Sequence, residues 1–383
     1  MKSPAEIKFA ISPKDLNLLR ILETKVLWLA SWMIHEANHL RPARDGLKVG
    51  GHQASCASVV TLMTALYFWA LRPEDRVAVK PHASPVFHAI QYLLGQQSKS
   101  NLQKFRGFGG AQAYPSRTKD VDDVDISTGS VGLGGALTLF ASLVQDYLRA
   151  HKFSSSRNND GRMVALFGDA ELDEGNVFEA LFEGRKHSIQ NLWWIIDYNR
   201  QSLDSVVTDH VFSRLSDLFH SMDWNVETIK YGKLLQKASA EQGGCALLKW
   251  IDECPNQLYS ALTFKGGAAW RQRLKEDLGD SAGIPGLLDN YDDIGLQALM
   301  TNLAGHDMES VLEAYEMASH SQTPTCIIAY TIKGFNTPLA DHKDNHSGLM
   351  NPEQMQIFKE AHNIRDGHEW DIAEGLDIDI DAL

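Results

Sequence analysis

Residues 168–174 read Gly-Asp-Ala-Glu-Leu-Asp-Glu, and this stretch, together with Asn199 thirty positions after Asp169, decides the fold. An apolar run at 163–167 leads into the stretch, and a second run at 192–196 leads towards Asn199. Short apolar runs closed by glycine or polar residues are typical of buried parallel strands. The sequence therefore predicts two strands whose carboxyl ends carry Asp169 and Asn199.

The segment between the two runs has a helical pattern, because apolar and small residues recur at helical spacing at 177, 180, 181 and 184. A strand-helix-strand unit predicts an α/β fold with a parallel sheet flanked by helices. In open sheets of this kind, ligands bind at the carboxyl edge of the strands. Asp169 and Asn199 would offer hard oxygen donors there, of the kind that binds Mg²⁺ beside phosphate oxygens. An acidic loop that merely caps a helix is the alternative.

This pattern resembles the signature of thiamine diphosphate-dependent enzymes, in which Gly-Asp precedes an Asn at a similar separation. Ala170 departs from the signature, since the family usually has glycine there, but a small residue still fits the turn. The resemblance implies that residues 168–171, namely Gly168, Asp169, Ala170 and Glu171, line a diphosphate site together with Asn199. It also implies that Asp169, Asn199 and the backbone carbonyl of Gln201 bind the metal.

Further segments follow the order seen in transketolases and in the homodimeric type of pyruvate dehydrogenase first component, and the resemblance is closest to the latter. These segments are 50–55, 81–85, 114–115, 127–134, 199–204 and 331–335. The resemblance covers roughly residues 25 to 360. It implies the diphosphate-binding fold of the transketolase amino-terminal region, with thiamine diphosphate and Mg²⁺ as cofactors.

A glycine-rich loop with Gly129, Ser130 and Gly132 precedes a long apolar helical pattern at 136–147. Free backbone amides at the start of a helix can approach an anionic diphosphate closely, and glycine permits that approach. The sequence therefore predicts a diphosphate-binding loop here, with a glycine-rich helix-packing face as the alternative. In the family that the chain resembles, this segment lines the cofactor cleft.

Three histidines are the candidates for proton transfer. His52 and His82 stand among glycine, proline and small residues at loop positions, where an imidazole can exchange a proton near neutral pH. By resemblance, they contact the substrate or the diphosphate. His346 lies in a segment that closes over the active site in related enzymes, and His342 is the reserve for the same role.

The polar, turn-rich segment 334–350 follows the last predicted strand, 325–330, and is expected to form an active-site lid. Lys333 stands just before it and is expected to give a positive charge to the cofactor region or to an acidic substrate. A plain strand-end lysine is the alternative. Tyr114 is expected to line the same cleft, although a Tyr-Pro pair can also simply fix a turn.

The motifs span nearly the whole chain, so one domain is expected over residues 1–365. Segment 230–290, which has helical stretches, is interpreted as an insertion that shapes substrate access or contacts a partner. The tail at 366–383 is acidic and contains no lysine or arginine. We expect it to be a mobile end rather than a short strand added to a partner.

Composition narrows the function classes. The 383 residues carry a formal net charge of −13 and show no basic run, which argues against a nucleic-acid partner. The four cysteines have no CxxC spacing, so neither a zinc site nor a disulfide framework is predicted, and a reducing cytoplasm is favoured. The apolar run at 26–34 is too short to cross a bilayer and predicts a core helix.

The family that the chain resembles activates its cofactor with a glutamate on a separate pyrimidine-binding domain, which follows the lid in one-chain relatives. We expect a second chain to supply that glutamate, in a two-plus-two assembly with the cofactor between subunits. The resemblance implies cleavage of a 2-oxo acid with transfer of the acyl or aldehyde product. Two alternatives remain: a split transketolase that moves a two-carbon ketol unit between sugar phosphates, and a non-catalytic regulatory relative.

Overall fold

A parallel β-sheet forms the centre of the computed structural model, which describes residues 11–42, 45–153, 161–202, 205–206 and 211–378. Its strands are β1 (Arg76–Ala78), β2 (Met163–Gly168), β3 (Leu192–Tyr198), β6 (Asn225–Ile229) and β7 (Thr325–Tyr330). They lie in the order β1-β2-β3-β7-β6, and every neighbouring pair is parallel. Two short strands, β4 (Gln201–Ser202) and β5 (Ser205–Val206), pair antiparallel beside it.

The structure confirms the three strands that the apolar runs predicted, and they form the centre of the sheet. The two outer strands were not predicted. Strands β2, β3 and β7 are buried at every position, as expected when helices cover both faces of a parallel sheet. Strand β1 is only three residues long. Strand β6 is an edge strand that stays partly exposed, so its sequence lacks the continuous apolar run that reveals a buried strand.

Helices pack on both faces of the sheet. The α-helices are α1 (Pro13–His35), α2 (Gln53–Ala65), α3 (Ser84–Leu93), α4 (Lys99–Gln103), α5 (Leu133–Ala150), α6 (Gly175–His187), α7 (Val211–Ser221), α8 (Lys233–Ser239), α9 (Gly244–Glu253), α10 (Asn256–Lys265), α11 (Gly267–Leu278), α12 (Ile284–Asp289), α13 (Asp293–Met300), α14 (Met308–Ser319) and α15 (Pro352–Ala361). Short π-helical segments extend the first two at Glu36–Leu40 and Leu66–Ala70, and 3-10 turns cover Pro81–Ala83, Asp169–Asp173 and Ala304–His306.

The side chains of each strand alternate between the two faces of the sheet, so the hydrophobic core has two parts. Trp193 and Ile195 of β3 pack with α1, α2, α3 and α14 on one face, whereas Trp194 and Ile196 pack with α5, α6 and helices α8 to α13 on the other. Successive side chains of a strand point to opposite faces, so one apolar run serves both cores. The sheet is thereby held rigidly between two helical layers, and its carboxyl edge is a fixed platform.

Segment 230–290 is helical, as its sequence indicated. Helices α8 to α12 pack into the core on the α5 face, and Trp270 of α11 is fully buried there. Trp250 and Tyr259 contact the Trp270 ring edge-on. Its interpretation as an insertion that shapes substrate access or contacts a partner stays a prediction.

Among the residues that the structure describes, one helical stretch, 53–70, is long and apolar enough to cross a bilayer by length and composition alone, with a mean hydropathy of 1.2. Inside the molecule, 78% of this stretch is buried. The core helix of a soluble protein passes the same test, so the stretch is weak evidence for a membrane span.

The first part of the acidic tail is packed, so the expectation of a mobile end is wrong for residues 366–378. Trp370 is 4% exposed, and its indole N–H donates to Glu36 at 2.6 Å. The ammonium of Lys25, on α1, donates to the backbone carbonyls of Asp371 and Glu374. The acidic side chains contribute as well, because Asp366 and Glu369 both pair with Lys359 of α15 at 2.6 Å. Residues 379–383 lie outside the described residues.

Gly135 allows the start of α5 to lie against the sheet, and Gly135→Ala should destabilise the fold. A Cβ at this position would lie 2.3 Å from Phe167 Cζ and 3.3 Å from Trp194 Cζ2. Because overpacking a well-filled core typically costs about 1–3 kcal/mol, we expect a loss of that size in the free energy of unfolding, measured by urea denaturation. Gly286→Ala in α12 is the matched control, since a Cβ placed there would have no atom within 4 Å. Equal stability of the two variants would contradict the prediction.

Candidate active site

A cavity of about 320 Å³ opens at the carboxyl edge of the sheet. Nine of the predicted site residues line it: His82, Gly168, Asp169, Ala170, Glu171, Asn199, Gln201, Lys333 and His346. Lys80 and Val131, which were not predicted, line it as well. Five predicted residues lie off this lining, namely His52, Tyr114, Gly129, Ser130 and Gly132. The topology therefore brings most of the predicted site into one cleft, as the carboxyl-edge rule requires.

Asp169 and Asn199 are oriented by backbone amides. The two carboxylate oxygens of Asp169 accept hydrogen bonds from Ala170 N–H at 3.0 Å and Arg200 N–H at 2.6 Å. The side-chain oxygen of Asn199 accepts one from Gln201 N–H at 3.1 Å. Each of these oxygens has a second lone pair, so the pair can still coordinate a cation.

The carboxylate of Asp169 lies in an environment that favours a bound cation. Burial raises its pKa to about 7, and the neighbouring Asp197 carboxylate contributes in the same direction. A buried, incompletely balanced carboxylate is costly, and a divalent cation would offset that cost. The oxygens of Asp169 and Asn199 are hard donors that fit Mg²⁺, and the predicted ligand set of Asp169, Asn199 and the Gln201 carbonyl stays a prediction.

In the glycine-rich loop, the backbone N–H of Gly132 is not available to a diphosphate as predicted. The N–H of Gly132 donates to Glu171 at 2.8 Å, so this amide is occupied within the protein, and Gly129 and Ser130 are exposed. The other carboxylate oxygen of Glu171 accepts from Gly168 N–H at 3.0 Å. Glu171 thus braces the loop before α5 against the Gly-Asp turn. The expectation of a free amide at Gly132 missed this brace because the two segments are far apart in sequence.

Three predicted histidines converge from three separate segments. The rings of His52 and His82 stack with centroids 3.9 Å apart, and the ring of His346 lies 5.3 Å from His52 and 5.5 Å from His82. Tyr114 is adjacent, with its ring centroid 6.1 Å from that of His82. We call His52, His82 and His346 the histidine cluster.

His346, and not the reserve His342, belongs to this cluster. His342 lies against Phe264 with ring centroids 5.0 Å apart, and its Nδ1 accepts the N–H of Asp344. Lys333 is 2% exposed and lines the cavity. His346 brings segment 334–350 to the cavity wall, and the role of this segment as an active-site lid stays a prediction.

Two members of the histidine cluster are neutral at physiological pH. Burial lowers the pKa of His52 to about 3, helped by the positive charge of Arg106. Burial also lowers the pKa of His82 to about 2, and the His52 ring acts in the same direction. Neutral imidazoles can each donate one hydrogen bond and accept another, which suits a cluster that holds substrate oxygens or exchanges protons.

The fold should lose stability on acidification because of His52 and His82. An unfolded histidine titrates near 6.5, so below that pH the unfolded state binds more protons than the folded state and stability falls with pH. His346, Lys80 and Lys333 also face His52 and disfavour its protonation. We expect a loss on the order of 1–2 kcal/mol per histidine between pH 7 and pH 5. Urea denaturation at both pH values, with His52→Gln and His82→Gln, measures it.

The matched control for this prediction is His187→Gln, because His187 is exposed on α6. Removing His52 or His82 should flatten the dependence of stability on pH, whereas the control should follow the wild type. A wild-type pH dependence in both cluster variants would show that the two rings do not control acid stability.

The side chain of Gln201 connects the segment after β3 to segment 334–350. Its amide donates to Asp341 at 2.9 Å, and Asp341 N–H donates to the backbone carbonyl of Lys333 at 2.9 Å. Burial raises the pKa of Asp341 to about 6, while Arg200 acts in the opposite direction. Asp341 was not predicted, because nothing in a polar loop distinguishes a buried carboxylate from an exposed one.

Lys80 and Asp197 were also missed, although Asp197 carried a signal. It is a carboxylate within the continuous apolar run of β3, at 0% exposure, and such residues are almost never buried unless paired. That rule indicates that Asp197 has a cationic partner, but it does not identify the residue. The partner is Lys80, with its ammonium 2.7 Å from the Asp197 carboxylate.

Comparison with protein families gives a match to the model described as "Transketolase, thiamine diphosphate binding domain", at residues 69–241. That span contains His82, the glycine-rich loop, Asp169 and Asn199. The match supports a thiamine diphosphate-binding domain of the transketolase type in this part of the chain. The match agrees with the resemblance that the ordered motifs carried.

Curated relatives and a solved structure are similar to this chain. The pyruvate dehydrogenase E1 component of Cupriavidus necator is 28% identical over 335 residues, which are 84% of this chain and 36% of the relative. That of Pseudomonas aeruginosa is 28% identical over 367 residues, which are 92% of this chain and 40% of the relative. The transketolase from Leishmania mexicana superposes with a TM-score of 0.62 at 16% identity, covering 95% of this chain and 43% of that one.

The chain spans less than half the length of the curated relatives named above. The structural likeness, at 16% identity, shows the fold. The predicted fold class, a parallel α/β sheet of the thiamine diphosphate-binding type, is confirmed.

Proposed function

We propose that this chain is the diphosphate-binding part of a thiamine diphosphate-dependent enzyme that cleaves a 2-oxo acid. The single observation that carries the proposal is the convergence of Asp169, Asn199, His82 and His346 on one cavity of about 320 Å³, with His52 stacked against His82. In this proposal Asp169, Asn199 and the Gln201 carbonyl hold Mg²⁺, which in turn binds the diphosphate. Ala170 adds only a methyl group at the turn and leaves the amide that orients Asp169 intact.

The histidine cluster would act on the substrate. Thiamine diphosphate, when bound, supplies a carbon nucleophile that adds to the substrate carbonyl. His52 and His82 are neutral and can donate a hydrogen bond to the carbonyl oxygen or accept its proton. His346 reaches the same point from the lid, so closure of the lid would add a proton-transfer group and exclude water together.

The charges around the histidine cluster favour a substrate that carries a carboxylate. Arg106, Lys80 and Lys333 all act on the His52 ring, so the cluster sits in a positive field that would attract a substrate carboxylate. The sequence relatives are named pyruvate dehydrogenase E1 components, which supports a 2-oxo acid in preference to a ketose.

We further propose that a pyrimidine-binding chain covers α5 and completes the cofactor site in a two-plus-two assembly. Helix α5 exposes a row of apolar side chains at helical spacing: Leu137 (36% exposed), Phe140 (45%), Val144 (55%) and Tyr147 (56%). Contiguous exposed apolar patches mark interaction sites. Because α5 begins at the loop that Glu171 braces, a partner on this face would lie beside the diphosphate site.

Substrate assays of the reconstituted assembly test the proposal. Carbon dioxide release from pyruvate or branched 2-oxo acids, dependent on thiamine diphosphate and Mg²⁺, is the expected result. Transfer of a two-carbon unit from sugar phosphates without carbon dioxide release would identify a split transketolase instead. Absence of Mg²⁺-dependent thiamine diphosphate binding, measured by calorimetry, would favour a non-catalytic relative. Full turnover by this chain alone would overturn the requirement for a pyrimidine-binding partner.

A further inference from the structure

Lys80 is a buried cation on the wall of the cavity. It follows β1, immediately before the Pro81–Ala83 turn that carries His82, and its side chain is 6% exposed. It lines the same cavity as Asp169 and Asn199. A lysine is rarely buried to this degree without a specific partner, so its position requires an explanation beyond packing.

Asp197 fixes the Lys80 ammonium in place. One Asp197 oxygen accepts from Lys80 Nζ at 2.7 Å and from Asn199 Nδ2 at 3.2 Å. The hydroxyl of Ser58 lies 2.6 Å from both carboxylate oxygens, and the hydroxyl of Thr331 also donates to the carboxylate. These donors, contributed by β1, α2, β3 and β7 or the segments that follow them, give Asp197 little freedom. The ammonium is therefore held by a rigid anchor.

The remaining hydrogen-bonding capacity of Lys80 faces the diphosphate region. An ammonium has three N–H donors, and within the described part of the chain the hydrogen bond to Asp197 is the one that Lys80 makes. Its Nζ lies against the Gly-Asp turn, because a Cβ placed on Gly168 would be only 3.3 Å from it. Two donors are thus left on an ammonium that lies beside Gly168, at the start of the predicted phosphate-binding motif.

On the basis of the proposed function, we propose that Lys80 is a diphosphate-binding residue. Asp197 holds its ammonium at the cavity wall, and the free N–H donors bind a phosphate oxygen beside the metal. The site would then contain two positive centres, a resident ammonium and an exchangeable divalent cation. A diphosphate should retain measurable affinity without metal, because the ammonium persists when Mg²⁺ is removed.

Calorimetric titration of the full-length chain with inorganic pyrophosphate tests this, because pyrophosphate occupies the anionic end of the site without requiring a pyrimidine-binding partner. The wild type should bind pyrophosphate with Mg²⁺ and, more weakly, with EDTA, and binding in EDTA should weaken as salt increases. The charge-neutral double variant Lys80→Met/Asp197→Asn should lose about 10–100-fold in affinity with Mg²⁺. In EDTA it should lose detectable binding.

Two further variants separate phosphate binding from a structural role. Lys80→Arg keeps the charge and should restore most of the affinity that the double variant loses. Asp197→Asn alone keeps the ammonium but weakens its anchor, so its affinity should fall between those of the wild type and the double variant. A structural role would instead lower the unfolding midpoint of the variants without a specific effect on metal-free pyrophosphate binding.

Two results would overturn the role of Lys80: wild-type affinity in the double variant, or no pyrophosphate binding by the wild type in EDTA. The second result needs no variant, so it holds even if a substitution prevents folding. Neither of these two results contradicts the proposed function if thiamine diphosphate still binds the reconstituted assembly with Mg²⁺. Failure of that binding would sink the proposed function itself, and the two failures are therefore distinguishable.

Discussion

Asp169→Asn should abolish Mg²⁺-dependent binding of thiamine diphosphate, with a loss of about 100-fold or more in affinity. The asparagine side chain has nearly the same shape and can still accept the hydrogen bond from Arg200 N–H. It lacks the negative charge that a divalent cation requires of this buried position. Isothermal titration of the reconstituted assembly with thiamine diphosphate, with and without Mg²⁺, measures the effect.

Stability should change little in the same variant: the amide loses the hydrogen bond from Ala170 N–H, but a neutral side chain avoids the cost of burying a charge. A stability measurement on this variant therefore distinguishes loss of a metal-binding side chain from loss of the fold. Asp217→Asn, at an exposed position of α7, is the control and should bind as the wild type does. Retention of metal-dependent binding by Asp169→Asn would exclude Asp169 as a metal ligand.

His346→Ala should lower turnover by about 10²–10⁴-fold, the usual range for removing a general acid or base. The reason is its position, since its ring lies 5.3 Å and 5.5 Å from the rings of His52 and His82. It brings a proton-transfer group from the lid to the two fixed histidines. The measurement is the rate of carbon dioxide release from the 2-oxo acid that the assembly accepts.

His342→Ala is the matched control, because it removes a histidine four positions earlier in the same lid. Its ring contacts Phe264, outside the cluster, so the variant should keep a rate close to that of the wild type. The opposite outcome, a large loss in His342→Ala and none in His346→Ala, would show that the catalytic role belongs to His342. A thiamine diphosphate titration of both variants shows whether a lost rate arises from lost cofactor.

The sequence predicted the parts of the site that depend on local patterns. Asp169 and Asn199 were predictable because each follows an apolar run, and parallel strands bring their carboxyl ends to one edge. The three central strands were predictable for the same reason. The histidine cluster was located by motif order, since His52 and His346 are far apart in the chain and no local rule joins them.

The remaining features depend on pairings between distant segments. Lys80 and Asp197 are separated by 117 positions, and a sequence pattern does not reveal which lysine balances a buried carboxylate. Gly132 donates to Glu171 over 39 positions, so a rule about free amides at helix starts failed there. The packed tail around Trp370 was missed because an acidic composition suggests solvation, whereas here one indole and backbone carbonyls pack against α1 and two carboxylates pair with Lys359.

The brace formed by Glu171 has a consequence for assembly. It connects Gly132, at the start of α5, to Gly168, at the turn before Asp169. If a partner docks on α5, its binding free energy and that of the cofactor are coupled through this carboxylate. Thermodynamic linkage then requires the coupling to be reciprocal. Cofactor should tighten subunit association by the same factor by which association tightens cofactor binding.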